Sequence, residues 1–258
     1  MYFGVFLRGV DTNMSKYRLL ALDMDGTLLT DDHRISKKTA DAIRDAREAG
    51  ITVILSTGRA FQNAVPYVEE LGLDSPMVTV NGSEVWKKPH QIYIRHLLDR
   101  EAVKRMVALS ESHDTWFWAY STKRLYNRDN WNADIDSEDW LKFGYTNEDK
   151  EVLGSLWQEL RVMGDFELSN SSPDNIEINP SGIHKASGLR IVCDLIGCTM
   201  SEAVSIGDSL NDLAAIQASG IGIAMGNAQD DVKRAADAVV GSNNEDGIAQ
   251  AIWEYVLK

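Results

Sequence analysis

Two short stretches of this chain place paired carboxylates directly after apolar runs. Asp23-Met24-Asp25-Gly26-Thr27 follows Leu19-Leu20-Ala21-Leu22, and Gly207-Asp208-Ser209-Leu210-Asn211-Asp212 follows Ala203-Val204-Ser205-Ile206. Carboxylates of this kind can attack as nucleophiles, carry protons, or bind a hard cation. Between the two stretches lie Thr57-Gly58-Arg59, after the apolar run Ile51 to Leu55, and Lys185, just after Pro180-Ser181-Gly182. Oxygen-only ligands gathered from separate strand ends suit magnesium, which keeps several waters and binds through few carboxylates. A carboxylate nucleophile, a magnesium ion, a hydroxyl and a lysine together make a phosphoryl-transfer site. Each group also has a plainer reading. Asp208 and Asp212 are well placed to cap a helix, Thr57 to end a strand, and Lys185 to face water. An Asp-x-Asp-Gly calcium loop is ruled out, because position twelve from Asp23 is Arg34 and that loop needs a glutamate there.

The elements that must position these groups follow a regular rhythm. Strands are expected at Leu19 to Leu22, Ile51 to Leu55 and Met77 to Val80, with a helix after Ser36 and another from about Arg59 to Leu71, kinked at Pro66. Apolar strand blocks alternating with helices indicate a parallel sheet with right-handed crossovers. From Ser83 the pattern changes to hairpin-like strands with two helices, and residues 131–147 read as irregular and acidic. The α/β rhythm returns after Pro180. The expected fold class is therefore α/β, a Rossmann-like parallel sheet with an inserted α+β domain. The core covers 17–83 and 181–258, the insert 84–180, and residues 1–16 form an N-terminal extension. Paired acids at the C-terminal ends of strands sit where an open α/β sheet binds its ligand.

Composition sets the outer limits. The 258 residues are 44% hydrophobic and 25% charged, ordinary for a globular protein with a real core. A formal net charge of −13 repels polyanions, so neither nucleic acid nor an anionic membrane surface is an expected partner. No apolar run reaches the ~18 residues of a membrane span, and the first residues lack the basic start and long apolar core of a signal peptide. Cys193 and Cys198 match no zinc spacing and read as buried thiols, so the expected location is the cytoplasm.

Taken with Ile221-Gly222-Ile223-Ala224-Met225-Gly226-Asn227-Ala228 and Glu245-Asp246-Gly247, these motifs resemble the haloacid dehalogenase superfamily. The likeness is specifically to its Cof-type phosphatases with a large α+β (C2-type) cap, and it extends from Tyr17 to Ile252. One small departure is Ala186, where the family usually has glycine after the lysine. The resemblance implies a phosphomonoesterase acting on small phosphorylated metabolites such as sugar phosphates or phosphorylated cofactors. It makes Asp23 the nucleophile that becomes an aspartyl-phosphate, and Asp25 the residue that protonates the leaving alcohol and then deprotonates water. Magnesium would bind the Asp23 and Asp208 carboxylates and the Asp25 carbonyl, with Asp212 in the metal set or just behind it. Thr57 and Lys185 would hold the phosphoryl oxygens, and Asn211 and Asp212 would orient Lys185 and the metal waters. Gly58 would add a backbone donor. Arg59 either contacts substrate or closes the cap, and Asn81 is either a ligand or an Asn-Gly turn. A mutase or phosphotransferase, or a non-catalytic binding domain, are the competing classes.

Selectivity is expected in the cap, which is rich in aromatics: Trp86, Trp116, Trp118, Tyr120, Tyr126, Trp131, Trp140 and Trp157. Most of these should fill the cap's own core, while Trp131 or Trp140 is the expected residue to stack on a sugar or ring face.

Overall fold

A computed structural model describes residues 15–258, so the expected N-terminal extension lies almost wholly outside the described residues. In chain order the first elements are β1 (Leu19–Leu22), α1 (Lys37–Glu48), β2 (Thr52–Leu55), α2 (Phe61–Glu70), β3 (Met77–Thr79), β4 (Glu84–Lys88) and β5 (Gln91–Arg95). Next come α3 (Arg100–Ser112), β6 (Trp116–Ser121), β7 (Leu125–Asn127), β8 (Trp140–Thr146), α4 (Lys150–Met163), β9 (Phe166–Ser169) and β10 (Asn175–Pro180). The chain closes with α5 (Lys185–Ile196), β11 (Ala203–Gly207), α6 (Leu210–Ala218), β12 (Ile221–Ala224), α7 (Asp230–Ala235), β13 (Ala238–Val239) and α8 (Gly247–Ala251).

Five of these strands form a parallel sheet in the order β13-β12-β11-β1-β2. The neighbours β1 and β11 lie far apart in sequence, yet they pair from Leu19↔Ala203 to Leu22↔Ile206, which brings both carboxylate stretches to one sheet edge. All four residues of β1 are buried, as a central strand covered by helices on both faces requires. Helix α1 starts at Ser36, whose side chain accepts from the Thr39 N–H. Helix α2 runs through Pro66 as one element.

A second five-stranded sheet is antiparallel, in the order β7-β6-β8-β10-β9. Helices α3 and α4 cover one of its faces around a separate apolar core of Val103, Met106, Phe117, Phe143, Leu156 and Ile178. Its other face looks toward the parallel sheet. Residues 131–147, read from sequence as irregular, contain the central strand β8, buried along almost its whole length. Lys142 and Gly144 interrupt its apolar run and disguise it as loop.

The hairpin β4–β5 differs from expectation as well. It pairs antiparallel with β3, and a single bridge, Ser56↔Val78, joins β3 to the parallel layer. Trp86 stacks on Phe61 of α2 at 4.0 Å between ring centroids and packs into the parallel-sheet core. It is therefore not part of the second sheet's aromatic set. Among the described residues no helix is long and apolar enough to cross a membrane.

Candidate active site

The chain leaves β1 through Asp23 and turns back at Gly26, whose φ of +72° is the left-handed region that favours glycine. Closeness also demands glycine there, since a Cβ would lie 2.6 Å from Asp208 Oδ2. Thr27 Oγ1 donates to Asp208 Oδ1 at 2.9 Å and ties the two acidic loops together. On the second loop, Asp212 Oδ2 accepts from the backbone N–H groups of Asp208 and Ser209, both at 3.1 Å. Asp212 thus caps its helix while its other oxygen accepts from Lys185, so the plain reading and the functional one describe the same side chain.

Lys185 begins α5 and is only 1% exposed. Its ammonium donates to Asp23 Oδ1 at 2.5 Å and to Asp212 Oδ1 at 2.6 Å. Burial alone would lower the lysine's pKa, but Asp212 and Asp23 outweigh it and hold the charge on. The neighbouring His184 is accounted for by the fold, its Nδ1 accepting from Ser187 N–H at the helix start. Ala186 sits in the first turn of α5, an ordinary helical position for alanine.

Asp23, Asp208 and Asp212 each offer a carboxylate oxygen within 4.8 Å of the others. One lysine does not offset three acids in a buried site. Burial, then Asp212, push Asp23 well above the usual carboxylate range, while burial and Asp212 push Asp208 up to about 6. An all-oxygen donor set short of positive charge is the chemistry of a hard divalent cation site.

Thr57 is buried at the end of β2, and its Oγ1 accepts from Arg59 N–H at 3.1 Å. Arg59 does not reach into the cleft alone. Its Nε and Nη2 donate to Asp25 Oδ2 and Oδ1 at 2.7 and 2.5 Å, a two-pronged pair, and Asp25 is not one of the three clustered acids. The rim above the site therefore contains an arginine–aspartate couple that the chain order gave no reason to pair.

The roof comes from the second sheet. Lys142 of β8 donates at 2.8 Å both to Glu177 of β10 and to the backbone carbonyl of Gly58. Glu177 also accepts from Asn81 at 2.6 Å, Ser171 at 3.2 Å and Asn211 at 3.3 Å. Asn211 donates to this roof network and also lines the cleft, and Asn81 joins the same network. Asn179 Nδ2 donates to Val80 O at 2.9 Å, gripping a backbone whose Val80 and Asn81 both have positive φ, at 52° and 57°. A β-branched residue in that region is strained, and here contacts from both sheets hold it in place. The loop after β9 adds Ser209 Oγ to Ser171 O at 3.1 Å and Asn211 N–H to Asn170 O at 3.0 Å.

Asp23, Asp25, Thr57, Arg59, Lys142 and Trp118 are among the residues around one cleft of about 170 Å³. Trp131 and Trp140, expected over the substrate, are elsewhere. They pack on each other at 5.6 Å and on Tyr126 in the core beneath α3 and α4. The alternation along β6 explains the difference. Phe117 and Ala119 point into that core, which leaves Trp118 and Tyr120 for the cleft. Lys142 and Glu177 were missed because each is a single charge in a strand. The available signal was a lysine inside an otherwise apolar run.

Fold and site together define a parallel α/β core with acids at its strand ends and a roof inserted between two halves of that core. The sequence matches the haloacid dehalogenase-like hydrolase family over residues 20–252, and the chain belongs to that family. It is 42% identical over 240 residues to the 5-amino-6-(5-phospho-D-ribitylamino)uracil phosphatase YcsE of Bacillus subtilis (strain 168), covering 93% of this chain and 96% of that protein. It is 28% identical over 274 residues to the pyridoxal phosphate phosphatase YbhA of Escherichia coli (strain K12), covering 93% and 99% respectively. A solved haloacid dehalogenase-like hydrolase from B. subtilis superposes with a TM-score of 0.85 at 25% identity, over 93% of this chain and all of that one.

Proposed function

We propose that the protein is a magnesium-dependent phosphomonoesterase that hydrolyses small phosphorylated metabolites through an aspartyl-phosphate on Asp23. The observation that carries this reading is the buried cluster in which Lys185 bridges Asp23 and Asp212 beside Asp208. It puts a nucleophile, a fixed cation and an oxygen-rich metal site at one point. The relatives named as phosphatases of phosphorylated metabolites support the substrate class.

In the first half-reaction an Asp23 carboxylate oxygen attacks phosphorus and the bond to the leaving oxygen breaks. Asp25 gives its proton to that oxygen, which departs as an alcohol. In the second, water attacks phosphorus, Asp25 takes the water's proton, and the Asp23–phosphorus bond breaks to release inorganic phosphate. For the first step Asp25 must leave its pairing with Arg59 and carry a proton to the leaving oxygen, since that two-pronged pairing belongs to the ionised carboxylate. Lys185 and the Thr57 hydroxyl stabilise charge on the phosphoryl oxygens. The Asp23 and Asp208 carboxylates and the Asp25 carbonyl, with Asp212 beside them, would hold the magnesium, which when bound offsets negative charge on the transferring group. The antiparallel sheet with α3 and α4, at about 98–180, serves as the cap that excludes water. Hairpin β4–β5 then belongs to the core, and the cap starts later than residue 84.

The test is release of inorganic phosphate from a panel of metabolite esters with magnesium present. Hydrolysis that is lost with EDTA and with Asp23→Asn is the expected result. No release from any ester under these conditions defeats the reading.

A further inference from the structure

One face of the cap sheet forms the roof, and its two halves differ in chemistry. The half made by β8 and β10 is polar and docks on the core through Lys142, Glu177 and Asn179. The half made by β6 is aromatic. Tyr120 packs against Ala60 and Val80 of the core and lies beside the Lys142 ammonium, 5.0 Å from its ring centroid. Trp118, two residues earlier on the same face, lines the cleft and stays partly exposed. Its partner across the strand pair is Gly144. A Cβ on Gly144 would overlap the six-membered ring of the Trp118 indole, so the ring lies flat on bare backbone. A large aromatic seated on a glycine, with its other side bordering the cleft, is a prepared planar surface. Filling a void in the cap core does not explain it, because that core is on the opposite face of β6.

We propose that Trp118 is a specificity-determining residue that stacks on a planar ring in the leaving group, so the preferred esters carry a heteroaromatic ring on the alcohol side. This rests on the phosphomonoesterase reading for its kinetic form only. Stacking of one ring on an aromatic side chain is worth roughly 1–3 kcal/mol, or about 5- to 150-fold.

The test uses a matched pair, riboflavin 5′-phosphate and ribitol 5-phosphate, which share the phosphorylated chain and differ by the ring. For Trp118→Ala, the ratio of kcat/KM for the ring ester to that for the ringless ester should fall roughly 5- to 150-fold, chiefly through KM. Trp118→Phe should restore most of it. Gly144→Ala, which lifts the indole, should shift the ratio in the same direction as Trp118→Ala. Trp253→Ala, an indole bonded to Asp45 outside the cleft, should leave the ratio alone. An equal ratio in wild type and Trp118→Ala overturns the proposal. A turnover-independent measurement separates it from the phosphatase reading. Riboflavin 5′-phosphate bound to Asp23→Asn should lose flavin emission by stacking on the indole, and Asp23→Asn with Trp118→Ala should not quench it. Quenching by both variants, or by neither, also overturns it, whether or not phosphate is ever released.

Discussion

Replacing Lys142 by methionine tests the roof network directly. Its ammonium and the Glu177 carboxylate are 2% and 4% exposed, so their pair is a buried one. Breaking such a pair by removing one partner costs about 3–5 kcal/mol, because the other charge is left buried. Glu177 would keep its donors Asn81, Ser171 and Asn211, which places the loss toward the lower end, ~3 kcal/mol. In a chain of this size that corresponds to a fall in Tm of roughly 6–12 °C. Glu177→Gln should cost a similar amount, since it strands the ammonium instead. The double variant removes both charges, so its loss should be smaller than the sum by at least about 1 kcal/mol. Function should suffer separately. The bond from Lys142 to Gly58 O joins cap to core, and a charged hydrogen bond worth ~1.5–3 kcal/mol predicts a fall in kcat/KM of roughly 10- to 150-fold. Denaturant unfolding and steady-state phosphate release measure the two effects. Single losses that add within about 0.5 kcal/mol in the double variant would refute the coupled-pair account.

Other expectations follow from the same geometry. Burial alone would raise the Glu177 pKa, but the Lys142 charge and the bonds from Lys142, Asn81 and Asn211 hold it below its ordinary 4.5. A depressed acid stabilises the fold above its unfolded pKa, so the roof's contribution should persist down to about 4.5 and be lost as pH falls further. An acid titration of wild type against Glu177→Gln checks this by whether the two curves converge below that point. Asp208 behaves oppositely. Its carboxyl is pushed from 3.8 up to about 6, so in metal-free protein its ionisation costs stability as pH rises through about 6. Asp208→Asn should therefore raise the Tm of the metal-free protein at pH 8, while magnesium should stabilise wild type far more than this variant. Gly26→Ala would push on Asp208 Oδ2 and should raise the magnesium concentration for half-activation about tenfold. A metal titration with unchanged midpoint would contradict that.

The parallel core was legible because its strands are short apolar blocks ending in polar clusters, and because Asp23, Thr57 and Asp208 sit just past such ends, with Asp212 and Lys185 in the first turns of α6 and α5. Strand order joins these ends, so Thr27 and Asp208, 181 positions apart in sequence, are hydrogen-bonded beside the β1–β11 pairing. The cap was harder to read. Sequence shows that β6 alternates, but not which of its faces meets the core, and that choice decides whether Trp118 or Phe117 is the site residue. Lys142 looks like a surface charge until β10 places Glu177 beside it. Trp131 and Trp140 drew attention by their size in a polar segment, yet size favours burial, and both are packed with Tyr126. Arg59 reaches Asp25 from 34 residues away only because β1 and β2 are neighbours in the sheet.

The central claim is that Asp23 carries the phosphoryl group. The most direct measurement is a rapid acid quench of the enzyme during turnover of a phosphate-labelled ester with magnesium, followed by peptide mapping. The account predicts label on the peptide containing Asp23, absent in Asp23→Asn and absent when EDTA is present from the start. Steady hydrolysis with label on another residue, or full activity in Asp23→Asn, would contradict it.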